Sequence, residues 1–187
     1  MTKPPRLRFA PIARKGAPRA GRAPPAVVIH SLAQAKAALA AAAEAAVALE
    51  LWSAEGAAAS AGAGWFKAVV EAAARAHPEV AFTAVLDCAD MPGFALGAFR
   101  IGIEAVAFSG PARVAAKLAD IAEKVGCRLL RRRPPRLLDL GQSADPFAAC
   151  RDWLAGEALK KAGRSAIARR RRKRPGAAGR RQRGWPA

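Results

Sequence analysis

Short apolar runs alternate with longer segments of helical period along the middle of the chain. The short runs are rich in Val, Ile, Leu and Phe and predict buried strands. The longer segments start at Ser, Asp or Pro and end at Gly or before Pro, as helices do. The predicted strands are AVVIHS (26–31), VALELWS (47–53), VAFTAVLDCAD (80–90), EAVAFSG (104–110) and CRLL (127–130). The predicted helices are LAQAKAALAAAAEAA (32–46), WFKAVVEAAARAH (65–77), PGFALGAFRIG (92–102) and ARVAAKLADIAEKVG (112–126).

This alternation predicts an α/β fold with a small, mostly parallel, open sheet of four or five strands and helices on both faces. Each helix supplies the crossover that two parallel strands need. A half βα-barrel that dimerises is the alternative, because five short strands cannot close an eight-stranded barrel. The count is four or five because CRLL offers only four residues for a fifth strand.

The chain is predicted to have four parts. Residues 1–25 are rich in Pro and Arg, have no hydrophobic period and predict a disordered basic arm. Residues 26–130 form the α/β domain. Residues 131–159 hold a linker or strapping segment followed by a helix, PFAACRDWLAGEAL, whose apolar stripe is expected to dock on the domain. Residues 160–187 are too polar to fold alone and predict a disordered polybasic tail.

The net charge of +18 is confined to the two ends of the chain. Seven basic residues and no acid precede residue 26, and twelve more, again without an acid, follow residue 159. The part between them holds 13 bases and 14 acids, for a net charge of −1. Such arms predict contact with the phosphates of nucleic acid or of a ribosome, strongest at the six-cation run and without sequence readout. That run is Arg169, Arg170, Arg171, Arg172, Lys173 and Arg174.

The basic ends also fit a membrane surface, nuclear import or no specific role. Anionic lipid attracts the same residues, so the surface of an anionic membrane is an alternative partner. The run 169–174 has the composition of a nuclear import signal. A genome that favours Ala, Gly, Pro and Arg would produce basic ends without selection for any of these roles.

Cysteine usage and hydropathy indicate a cytoplasmic protein. Cys88, Cys127 and Cys150 are odd in number and form no CxxC pair, which argues against a disulfide framework. The sequence contains no run of about 18 apolar residues, so it predicts no membrane span. The basic N-terminus is not followed by the apolar region of a secretory signal. We expect no metal and no cofactor.

Polar residues follow the predicted strands, where ligands bind parallel sheets. Asp87 and His30 are the candidate catalytic residues, because a carboxylate and an imidazole can exchange protons. The candidate ligand-binding residues at the same edge are Ser31, Asp90, Ser109 and Gly110. The helix N-termini that follow Ser31, Asp90 and Ser109 would attract a phosphate. The plainer interpretation is that Ser31, Asp90 and Ser109 are helix N-caps, whereas Asp87 has no such local role.

Two segments resemble known families. VLDCADMPG resembles the phospho-acceptor strand of response-regulator receiver domains, but the acidic pair and the lysine of that family are missing here, so phosphoryl transfer is rejected. LDCAD followed by PGFALGAFRIGIEAVAFSG resembles two βα units of the phosphate-binding βα-barrel enzymes. That resemblance implies chemistry at Asp87 and phosphate at Ser109 and Gly110. It covers about a quarter of the chain and is one of form.

These observations favour a non-enzymatic accessory protein that is held to nucleic acid or ribonucleoprotein by its basic ends. The alternative is a small enzyme or a metabolite- or phosphate-binding domain with its site at the carboxyl ends of the strands. The small-molecule ligand is not identified by the sequence. A homodimer built by sheet-edge or helix pairing is a third hypothesis.

Overall fold

The structure, a computed structural model, describes residues 24–157. Strands and helices alternate, as the apolar pattern predicts. The strands are β1 (Ala26–Ile29), β2 (Leu49–Ser53), β3 (Phe82–Asp87), β4 (Ala105–Ala107), β5 (Arg128–Leu130) and β6 (Leu138–Asp139). The helices are α1 (Leu32–Glu44), α2 (Ala57–Ser60), α3 (Ala63–Ala76), α4 (Pro92–Arg100), α5 (Ala112–Val125) and α6 (146–157).

The six strands form one parallel sheet in the order β5-β4-β3-β2-β1-β6. From β1 to β5 the chain moves one strand at a time in a single direction. Right-handed crossovers of this kind put all their helices on the same face of the sheet. β6 then pairs with the opposite side of β1, so β5 and β6 are the two edges of an open sheet.

The buried residues divide according to the two faces of the sheet. Alternate strand residues, such as Val27, Leu51 and Leu86, belong to a large cluster that also contains the buried residues of all six described helices. The intervening strand residues form a second cluster, in which no residue of a described helix takes part. The members of this second cluster are Ala26, Val28, Trp52, Val85, Ala105 and Ala107.

The second face is crossed by residues 131–137, which we call the strap. The strap connects β5 at one edge of the sheet to β6 at the other. Neighbouring strands lie about 4.8 Å apart, so the sheet is about 24 Å wide from β5 to β6. Eight residue steps from Leu130 to Leu138 reach about 26–29 Å when extended but only about 12 Å as a helix. The strap must therefore be extended, and Pro134 and Pro135 suit that conformation.

The predicted fold class is confirmed: an α/β protein with a parallel sheet flanked by helices. The sheet has six strands instead of four or five, and the additional strand is β6. The prediction of helices on both faces is wrong: the helices of the described residues lie on one face, as in the half-barrel alternative, because every crossover from β1 to β5 moves in the same direction. The strap occupies the second face. None of the helices within residues 24–157 is long and apolar enough to cross a membrane.

A buried carboxylate organises the amino-terminal half of the second face. Glu50 in β2 is 5% exposed, and each of its oxygens has a partner. Oε1 accepts a hydrogen bond of 2.9 Å from Nη2 of Arg128, which reaches across from β5. Oε2 accepts one of 3.0 Å from Nε1 of Trp52. The only polar atom of the buried Trp52 side chain is thereby satisfied.

We predict that Glu50→Ala lowers the free energy of unfolding by about 2–3 kcal/mol, because it leaves the Trp52 indole N–H buried without an acceptor. Glu50→Gln is the matched control. Its amide oxygen can still accept from Trp52, and Arg128 is exposed enough to be solvated, so we expect a loss of under about 1 kcal/mol. Urea unfolding of the three proteins measures both effects. Equal losses in the two variants would refute this role for Glu50.

Candidate functional site

The two predicted catalytic residues lie at the carboxyl edge of the sheet and on its second face. His30 follows β1 directly, and Asp87 is the last residue of β3. Val28 and Val85, two positions earlier in each strand, belong to the second-face cluster, and strand side chains repeat their direction every two residues. The structure does not pair His30 with Asp87. Each has a different side-chain partner, which is Arg133 of the strap for Asp87 and Asp139 of β6 for His30.

Asp87 is almost inaccessible to solvent and has contacts at both oxygens. Oδ1 accepts hydrogen bonds from the backbone N–H of Gly56 (3.1 Å) and of Ala89 (2.9 Å). Oδ2 lies 3.1 Å from Nε of Arg133, so the two side chains form an ion pair. Ala89 has a φ of 48°, a left-handed conformation that is unusual for a residue with a Cβ. The Asp87 carboxylate therefore holds together the β2–α2 loop, the strained β3–α4 loop and the strap.

Arg133 fastens the middle of the strap to the sheet. Besides its contact with Asp87, it donates from Nη2 to the carbonyl of Ser53 at 2.6 Å. Its guanidinium also lies 5.7 Å from the centre of the Trp52 ring, a cation–π arrangement. Ser53 contributes to the same junction, because its Oγ accepts from the N–H of Asp87 at 2.9 Å.

Arg131 fastens the beginning of the strap to the end of β4. Its guanidinium donates to the carbonyls of Phe108 (3.1 Å) and Gly110 (2.7 Å) and lies 5.6 Å from the centre of the Phe108 ring. Gly110 is buried, and a Cβ at this position would overlap that ring. The predicted ligand residue Gly110 is thus required for packing, and its carbonyl is already occupied by Arg131.

His30 is paired with Asp139 of β6. The ring Nε2 and the carboxylate Oδ1 are 2.7 Å apart, and both side chains are partly exposed. Oδ1 also accepts from the backbone N–H of Gly141 at 2.9 Å. Partial burial acts to raise the pKa of Asp139, but the hydrogen bonds from Gly141 and His30, together with the nearby Arg133 charge, hold that pKa below its ordinary value. The carboxylate is therefore ionised throughout the neutral range and accepts a hydrogen bond from the Nε2–H of the ring.

The three predicted capping residues behave differently from one another. Ser31 is the N-cap of α1, where its Oγ accepts from the N–H of Gln34 at 3.2 Å. The N-cap of α4 is Met91 and that of α5 is Pro111, so the capping roles predicted for Asp90 and Ser109 are wrong. Both helices begin at the predicted residues, Pro92 and Ala112, so the residue directly before each of them occupies the cap position. Asp90 and Ser109 are exposed at the carboxyl edge, and Ser109 donates its N–H to the carbonyl of Ala89 at 2.8 Å.

The three cysteines are buried free thiols. Burial, reinforced by the Asp87 carboxylate, raises the pKa of Cys88 to about 12. Burial likewise raises the pKa of Cys150 to about 12 and that of Cys127 to about 11. The nucleophilic form of a cysteine is the thiolate, so none of these groups is reactive at neutral pH. In the part of the chain that the structure describes, no group of three or more His, Cys, Asp or Glu side chains is placed to hold a metal ion.

The predicted nucleic-acid-binding residues, Arg169 to Arg174, lie outside the described residues. Comparison of the chain with protein-family models and with curated proteins gave no match.

Sequence reasoning missed the partners of both candidate residues. Asp139 and Arg133 lie in a region predicted to be a linker or strapping segment, far from His30 and Asp87 along the chain. One local signal was present: Asp139 and Gly141 are spaced as in a turn in which an aspartate accepts from the N–H two residues later. No local signal indicated Arg133, because three consecutive arginines look alike in the sequence.

We predict that Asp87→Ala lowers the free energy of unfolding by about 3 kcal/mol, since it leaves the Arg133 charge only partly exposed and unpaired. Asp87→Asn keeps an acceptor for the two loop amides and is expected to lose less. Adding Arg133→Met to Asp87→Asn removes the unpaired charge and is expected to recover part of that loss. Chemical unfolding of the single and double variants gives the coupling energy. Strictly additive losses would show that the two side chains do not interact.

We also predict that Gly110→Ala destabilises the fold by about 1–3 kcal/mol, because the Phe108 ring would have to move. Gly97→Ala is the matched control. Gly97 lies inside α4 with nothing within 4 Å of an added Cβ, so its replacement should raise stability by up to about 1 kcal/mol. Thermal unfolding compares the two variants. A stable Gly110→Ala protein would contradict the contact with Phe108.

Proposed function

We propose that this protein is an accessory protein that associates with nucleic acid or ribonucleoprotein through the basic segments 1–25 and 160–187. The observation that carries the proposal is the segregation of charge. Nineteen basic residues and no acid lie in these two segments, whereas the part between them has a net charge of −1. A polyanion is therefore attracted to the ends of the chain and not to the domain.

The contacts of the folded domain support this division of roles. Arg128 is paired with Glu50, and Arg133 with Asp87. Arg136 is paired with Glu157 and lies 5.3 Å from the centre of the Trp153 ring. These arginines hold the domain together, and their charges are compensated inside it.

The positions of the two described ends of the domain also support the proposal. β1 starts at Ala26, so the chain enters at the amino edge of the sheet. Oε1 of Glu157, the last described residue of α6, lies 3.0 Å from Nη2 of Arg136, which is two residues before β6. β1 and β6 are neighbours in the sheet, so both basic segments are joined to the domain near the amino ends of these two strands. Two weak binding segments attached side by side raise each other's effective concentration at one nucleic acid.

The composition of the C-terminal segment favours nucleic acid over a membrane. Residues 160–187 contain two large apolar residues, Ile167 and Trp185. A helix that binds at a membrane surface buries a continuous apolar face, which this segment does not provide. Trp185 can instead stack on an unpaired base.

The test measures the affinity of the full chain for a single-stranded RNA of mixed sequence over a range of salt concentrations. We predict that replacing all six cations of 169–174 with Gln weakens binding and reduces the slope of log K against log salt by about 4, if each cation contacts one phosphate. The matched control replaces the five arginines of this run with Lys, which retains the charge and should retain the slope.

An unchanged slope in the Gln variant would contradict the proposal. Binding to vesicles that contain anionic lipid, without measurable RNA binding at physiological salt, would also overturn it and identify a membrane as the partner.

A further inference from the structure

We propose that His30 and Asp139 form a general-base dyad at the carboxyl end of β1, in which His30 takes a proton from a water molecule or a ligand hydroxyl. Asp139 is the positioning residue. Both residues lie outside segments 1–25 and 160–187 of the sequence, and the proposal does not depend on nucleic-acid binding. The proposal rests on the contacts that fix the ring, on the second ring nitrogen, to which no described residue is hydrogen-bonded, and on the place of the dyad in the sheet.

The contact with Asp139 determines which ring nitrogen carries the proton. An ionised carboxylate can only accept, so Nε2, at 2.7 Å, is the N–H. In a neutral imidazole the other nitrogen, Nδ1, then holds a lone pair. Within the described residues no hydrogen bond to Nδ1 is formed, and the His30 side chain is 37% exposed. A neutral imidazole with an accessible lone pair is the usual general base at neutral pH.

Two neighbouring residues hold the dyad in position. The side chain of Gln34 accepts from the His30 backbone N–H at 2.6 Å and donates to the carbonyl of Leu140 at 2.8 Å. It thereby joins the start of α1 to the turn that follows β6. Gly141 brings that turn against the ring, and a Cβ there would lie 3.0 Å from Nε2. A catalytic side chain needs this kind of support, because small displacements cost much of its effect.

The place of the dyad is where parallel sheets bind ligands. His30 follows the carboxyl end of β1, and Asp139 ends the neighbouring strand β6. Arg133 lies near enough for its charge to help lower the pKa of Asp139. The dyad and the Asp87–Arg133 pair therefore line the same edge. The ligand class that suits a base beside a cation is a small polar molecule with a hydroxyl group or with an acyl group open to attack by water.

His77 provides an internal control, because the chain contains two histidines. Nδ1 of His77 lies 3.5 Å from Glu79 Oε1, and its side chain is 24% exposed. It lies at the end of α3, away from the carboxyl edge. A difference between the two histidines thus reports on the surroundings of His30.

The experiment measures hydrolysis of p-nitrophenyl acetate by the full chain at neutral pH. Water adds to the acetyl carbonyl as Nδ1 of His30 takes its proton, p-nitrophenolate leaves with the bonding electrons, acetate is formed, and the ring proton returns to solvent. We predict that His30→Gln lowers the second-order rate constant roughly tenfold, less than the hundredfold or more of a base with its own substrate bound. His77→Gln should leave the rate unchanged, and Asp139→Asn should lower it about fivefold because the ring loses its fixed tautomer.

A spectroscopic measurement keeps the proposal testable even where a variant fails to fold. ¹⁵N NMR of the wild-type rings reports which nitrogen carries the proton, and we predict Nε2–H for His30. In Asp139→Asn we predict a mixture of tautomers. An Nδ1–H ring in the wild-type protein, or an unchanged hydrolysis rate in a folded His30→Gln variant, would overturn the proposal.

Discussion

The ion pair between Arg133 and Asp87 is the contact on which the carboxyl edge of this protein depends. Asp87 accepts from the backbone N–H groups of Gly56 and Ala89, which belong to two different loops. Arg133 adds the strap to that junction and also donates to the carbonyl of Ser53. One carboxylate thus connects β2, β3 and the segment that covers the second face. Because the strap leads directly into β6, the same contact helps to place Asp139 beside His30.

The direction of the chain explains why a strap is needed at all. Helices on one face leave the other face of the sheet without cover from the described helices, and that face carries Trp52 and Val85. A return across the sheet in eight residue steps leaves no room for a helix, so cover comes from an extended segment. Its arginines suit this position, because their stems lie on apolar surface while their guanidinium groups reach carbonyls and carboxylates at the sheet's end.

Much of the fold could be predicted from the sequence because its signals are local. The five longer strands and the main helices follow from apolar runs and from glycine or proline at their ends, and even CRLL proved to contain β5. β6 was not predicted, since a two-residue strand has no pattern of its own. The starts of α4 and α5 were predicted correctly, but their capping residues were not. A Ser or Asp followed within two residues by Pro resembles a cap, yet the structure places Met91 and Pro111 at these positions.

The candidate site was predictable only in part, because only some of its signals are local in the sequence. Parallel strands bring their carboxyl ends to one edge, so the position of His30 and Asp87 follows from the alternation of elements. Their partners are set by the path of the strap, which no local pattern determines.

The most direct test of the Asp87 junction is hydrogen exchange at the amides of Gly56 and Ala89 in the native full chain. We predict slow exchange at both amides, which becomes fast in Arg133→Met while amides in the middle of β3 remain protected. Fast exchange of both amides in the wild-type protein would contradict the central role of this junction.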